Sequence, residues 1–79
     1  MEIMQVEGSL VCTQRVSGLE KVSLRILRNL KGKRAVAVDT VGARPGNWVF
    51  TTSGSAARLA VGKHILTDLS IGGIIDYWE

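Results

Sequence analysis

Residues 4–12 read MQVEGSLVC, and their alternation decides the fold class. Met4, Val6, Gly8, Leu10 and Cys12 take the even positions, while Gln5, Glu7 and Ser9 intervene. Successive side chains of an extended chain point to opposite faces, so this period of two predicts a half-buried strand with its even face inward. Cys12 then belongs to that face, where a thiol behaves as a small, inert hydrophobe. A second alternating run, Val22, Leu24 and Ile26 separated by Ser23 and Arg25, leads into NLKGKR (29–34), where Gly32 can supply the positive φ of a hairpin turn. RAVAVD (34–39) is a third strand. In VGARPGNW (41–48) the only proline stands between two glycines, which is turn chemistry and cannot continue a central ladder. NWVFTT (47–52) resumes the sheet.

The one segment with helical credentials is SGSAARLAVG (53–62). Ser55 can accept from the amides of a first turn built on Ala56, Ala57 and Arg58, and Gly62 can end it. LSIGGIIDYW (69–78) is again β-rich, and its paired Gly72 and Gly73 mark a bulge or a close approach of another backbone. Five or so short strands with one small helix before the last point to a small closed or partly closed antiparallel barrel. The alternation does not choose among barrel topologies, so an oligonucleotide-binding-type Greek key is a preference at this point.

Residues 1–79 form one domain without repeat or linker, and a chain this short hides only about 60% of its unfolded surface. With 46% hydrophobic and 22% charged residues it is too apolar to be disordered. Cys12 is the only cysteine and has no second ligand at zinc spacing, so neither a disulfide nor a zinc site can supply the missing stability, and a reducing compartment fits best. No apolar run is long enough for a membrane span, and the acidic, alternating start is unlike a signal peptide. The expectation is a soluble cytosolic protein stabilised by oligomerisation. Ile71, Ile74, Ile75, Tyr77 and Trp78 crowd the last nine positions, and something must cover them.

Candidate chemistry is sparse. Asp39, Asp68 and Asp76 form no close pair, and a carboxylate at a strand end ordinarily accepts the amides of the adjoining turn. His64 has no nucleophile, carboxylate or second ligand nearby to fix its ring. No catalytic residue, cofactor site or metal site is expected. Lys21, Arg25, Arg28, Lys31, Lys33 and Arg34 make a basic stretch able to grip phosphate. Yet residues 12–47 hold no Phe, Tyr or Trp on which bases could stack, and the net charge is only +3. Lysine and arginine on a hairpin equally blunt a strand edge or meet an acidic partner. VGARPGNW also lacks the lysine and hydroxyl of a phosphate loop.

Four pieces together resemble one family: MQVEGSLVCTQR (4–15), VAVDTVGARPGNWV (36–49) with Asp39, Gly42 and Gly46, GSAAR (54–58) and TDLSIGGIIDYW (67–78). In this order they are similar to the EutN/CcmL family of bacterial microcompartment vertex proteins, most of all the pentameric vertex proteins of α-type carboxysome shells. WVFTTSGSAAR (48–58) and ILTDLSIGGIID (65–76) resemble the B form of the two paralogues. Many relatives carry an acidic residue at the position of Asn47 and a serine at that of Ala56, so contacts of those side chains are not carried over. The resemblance implies an all-β fold, a small five-stranded antiparallel OB-like β-barrel with one short helix, assembled as a cyclic homopentamer without enzymatic activity. It implies a carboxysome shell in the bacterial cytoplasm, with hexameric shell proteins as partners met by the basic hairpin and loops.

On that reading Gly54, Ser55, Ala56, Ala57 and Arg58 face the five-fold ring or its pore, although a helix that merely plugs the barrel end would look the same. Tyr77 and Trp78 lie at a subunit boundary, where aromatic anchors are typical, and Ile71, Ile74 and Ile75 fill the core. Asp39, Gly42 and Gly46 shape a structural turn, and Trp48 is core or rim. The runner-up is a small barrel binding single-stranded nucleic acid through residues 21–34. An enzyme is third, because no spacing of Asp39, Asp68, His64 or Arg58 argues for a site.

Overall fold

The computed structural model describes all residues except Thr13 and Glu79 and residues 16–18, 20–21 and 58–66. Five strands, β1 (Glu2–Ser9), β2 (Ser23–Asn29), β3 (Arg34–Asp39), β4 (Trp48–Ser53) and β5 (Leu69–Ile75), close into a barrel in the order β1-β2-β3-β5-β4. β4 returns to pair with β1, so the sheet has no outer strand. All pairings are antiparallel except that of β3 with β5, a parallel contact at Val38 and Ser70. This is the expected architecture, with one parallel seam that the alternation did not announce. A helical turn at residues 55–57 follows β4.

The core gathers Met4, Val6, Leu27, Ala37, Ala43, Val49 and Ile71. Met4 and Val6 are the inward even residues of the first strand, but the alternation stops there. Val6 pairs with Leu27 and Gly8 with Ile26, so Glu7 is one residue too many for the ladder. Such a bulge reverses which parity faces inward, and β1 ends two residues later. Cys12 lies beyond the end of β1 and is exposed, as is Val11 beside it, so it is not part of the core. β2 corrects the reading in the same way: Leu27 is fully buried, whereas Leu24 and Ile26 are only half-buried. Arg25 consequently shares a face with Leu27.

The last strand carries a second bulge. Phe50 pairs with Gly73 and Thr51 with Ile71, leaving Gly72 as the extra residue. The close approach expected at this glycine pair is real, but a side chain makes it: a Cβ at Gly72 would stand 2.4 Å from the Phe50 ring, and one at Gly73 2.6 Å. Of the three isoleucines expected in the core only Ile71 fills it; Ile75 is half-buried and Ile74 is 40% exposed.

Candidate assembly surfaces

Strand direction sorts the remaining features onto two ends of the barrel. At the first end, Glu2 pairs with Thr51 near the finish of β4, and the Asn29 amide donates to the Glu2 carboxylate at 3.2 Å. The β2–β3 hairpin, the start of β5 and the helical turn therefore gather there. At the second end, Trp48 begins β4 opposite Ile75, and the chain after β3 loops across from Asp39.

At the first end Gly54 takes the N-cap position, with φ +61°, because the first helical residue is Ser55 and not Ala56 as the capping expectation had it. The Gly54 carbonyl accepts from the Ala57 amide at 3.1 Å, and the Gly54 amide donates to the Asp68 carbonyl at 2.8 Å. Ala57 is fully buried, while Ser55 and Ala56 face out. Arg58 and His64 lie outside the described residues.

The hairpin at this end is tied by its own hydrogen bonds. Gly32 adopts φ +87°, the left-handed backbone expected of it. The Asn29 side-chain oxygen accepts from the Lys31 amide at 2.9 Å and the Lys33 amide at 2.8 Å, while the Gly32 amide donates to the Asn29 carbonyl at 3.0 Å. Glu7, the bulge residue, accepts from Arg34 at 2.9 Å and lies 3.3 Å from Arg28. These cations are largely exposed, so each pair contributes at most about 1 kcal/mol. Leu30 at the tip is 67% exposed.

The second end is built on Asp39. Its carboxylate is fully buried and accepts four hydrogen bonds: Oδ1 from the amides of Val41 and Gly42, both at 3.0 Å, and Oδ2 from the Ala43 amide at 2.9 Å and Arg25 Nε at 3.0 Å. Arg25 also donates to the Ala43 carbonyl at 3.1 Å and to the Ser9 hydroxyl at 2.6 Å. Asp39 thereby performs the strand-end role expected of an aspartate; Asp68 and Asp76, both exposed, accept nothing through their side chains among the described residues. Gly42 and Gly46 have φ of +78° and +93°. Asn47 closes the turn by accepting from the Arg44 amide at 2.8 Å, and Val6 clasps it through both its amide and its carbonyl. The sequence signal for the Arg25 partnership was a cation two residues before a core leucine, which only the correct parity of β2 reveals.

Beyond β5, Trp78 turns back onto Trp48, ring centroids 5.4 Å apart and planes at 65°, an edge-on contact. Tyr77 is 75% exposed and Trp78 45%. Gly54–Ala57 and the terminal aromatics thus occupy opposite ends of one protomer and cannot form a single patch on it.

Three comparisons bear on what these surfaces are for. The family described as "Ethanolamine utilisation protein EutN/carboxysome" matches residues 1–76. A carboxysome shell vertex protein, CsoS4B of Prochlorococcus marinus subsp. pastoris, is 69% identical over 71 residues, 89% of this chain and 97% of that protein. The solved structure of CsoS4B from Halothiobacillus neapolitanus superposes with a TM-score of 0.92 at 54% identity, covering 98% of this chain and all of that one. A pentameric microcompartment shell protein, GrpN of Rhodospirillum rubrum, superposes with a TM-score of 0.86 at 33% identity, over all of this chain and 99% of that one. On the family match alone, running through all five strands, the chain belongs to the EutN/CcmL family.

Proposed function

We propose that this chain is a structural vertex protein of the carboxysome, the bacterial microcompartment of carbon dioxide fixation. Its job is geometric and requires no catalysis. Hexagonal tiles alone make a flat layer, and five-fold tiles inserted among them supply the curvature that closes a polyhedral shell. The observation that carries this reading is the 69% identity to a shell vertex protein across nearly the whole chain.

A five-fold ring uses a heterologous contact, in which each copy offers two different surfaces. Two unlike ends, one small and glycine-rich at Gly54–Ala57, the other aromatic at Tyr77 and Trp78, support such a contact. We assign both to the subunit boundary, with Arg58 accompanying the first, and hexameric shell proteins to the outer rim. The test is native mass spectrometry of the purified chain over a range of concentration and salt. A persistent mass of five chains is expected, and a monomer or dimer throughout overturns the reading.

A further inference from the structure

We infer that the outer wall of β1, β4 and β5, centred on Phe50, is covered in the ring by the neighbouring copy of this chain. The inference rests on the vertex reading and extends the aromatic side of the boundary from the end of the barrel onto its wall. Met4 and Val49 pair with each other and are buried in the core, so the residues that alternate with them face out. Across three adjacent strands these form two rows: Ile3, Phe50 and Gly73, then Gln5, Trp48 and Ile75. None of the six is charged. The wall formed by β2 and β3 differs, since there Arg28 stands opposite Arg34 and both are exposed.

The β5 bulge sets the Phe50 ring in this wall. A Cβ on Gly72 would collide with one edge of the ring and a Cβ on Gly73 with the other, so only a glycine pair lets the ring lie across the strand. The ring is still 36% exposed, and the five residues around it are half-buried. A single exposed aromatic is ordinary. Here the second row runs directly into the contact of Trp48 with Trp78, so the wall and the aromatic end are one continuous surface. Aromatic residues without charge are the mark of an interface core. The six residues present no cation to a phosphate and no carboxylate to a basic partner, which leaves an apolar protein surface as the match. A ring supplies one at every boundary, because each copy must hide one surface against a different surface of the next.

The experiment is hydroxyl-radical footprinting of the wild-type chain, read by mass spectrometry where the ring holds and again after dilution to the protomer. Phe50 is expected to be oxidised severalfold more slowly in the ring. This reading needs no substitution. Native mass spectrometry of Phe50→Ser and Ile3→Lys supplies a second one. Phe50→Ser also uncovers the glycines of its own protomer, whereas Ile3→Lys leaves them covered and sets a charge in the wall. Both are expected to raise the concentration at which the ring dissociates roughly tenfold, the equivalent of about 1.4 kcal/mol, with the barrel of Ile3→Lys still folded by circular dichroism. Equal oxidation of Phe50 in ring and protomer overturns the proposal. So does an Ile3→Lys ring that dissociates at the same concentration as the wild type. Shielding of Phe50 that arises only in complete shells overturns it as well, by giving the wall to a different partner. A wild-type chain that forms no ring removes instead the vertex reading beneath it.

Discussion

At the scale of single residues, Asp39 is the strongest point of the fold. Three backbone amides and a guanidinium converge on one buried carboxylate, and the loop of residues 40–46 takes its path from them. In Asp39→Ala these donors lose their acceptor, Arg25 is left with only carbonyl and hydroxyl partners, and a cost of about 3 kcal/mol follows. Asp39→Asn keeps the shape but turns an NH2 group toward donors, and is expected to cost less, about 1–2 kcal/mol. Urea unfolding midpoints at fixed protomer concentration check both, and equal midpoints for wild type and Asp39→Ala would refute the assignment. The Phe50 ring lies against the paired glycines Gly72 and Gly73. Gly73→Ala places a Cβ where the ring lies, forces the ring to swing away, and is expected to cost about 1–2 kcal/mol. In a Phe50→Ala background the same change is expected to be nearly free. A double-mutant cycle reads that coupling directly, and additivity would mean the ring does not cover the glycines.

At the scale of elements, what the sequence revealed and what it hid follow one physical division. Local chemistry was legible: Gly32, Gly42 and Gly46 all adopt the positive φ that their turns require, and Asp39 caps the turn it precedes. Strand parity was legible only up to the first bulge. Nothing about Glu7 marks it as supernumerary, because the extra residue is defined by its partner strand, and nothing in the alternation marks Ser9 as the end of the strand beyond which Cys12 lies exposed. The β3–β5 seam depends on closure across the whole barrel, which no period of two can encode. Of the candidate assembly residues, the sequence could mark small and aromatic types but not that the barrel separates them onto opposite ends. Asn29→Ala removes both side-chain bonds to the Lys31 and Lys33 amides and the tie to Glu2, and about 1–2 kcal/mol of stability with them. Amide hydrogen exchange at Lys31 and Lys33 is expected to accelerate severalfold more than at the core position Val49, and uniform acceleration would show that the turn has no separate rigidity.

For the whole molecule the open question is how a barrel this small covers its apolar exterior. Val36, Phe50, Ile74 and Trp78 are each at least a third exposed on an isolated protomer, and a ring can shield some of them without any change of fold. The two tryptophans give an internal gauge, since Trp48 and Trp78 are the only ones in the chain and touch each other. If Trp78 belongs to the subunit boundary, diluting the ring until it dissociates exposes its indole to water, and the emission shifts to the red in step with loss of the five-chain mass. Trp78→Ala removes a partly buried aromatic from a contact repeated at every boundary, so a loss of about 2 kcal/mol per boundary weakens each contact roughly thirtyfold. The expected result is dissociation at protomer concentrations where the wild type remains a ring, with the β-barrel still folded by circular dichroism. An intact ring with unchanged concentration dependence would confine Trp78 to its contact with Trp48 within one protomer. The boundary would then have to be sought at Gly54–Ala57 and along the outer faces of β3 and β4.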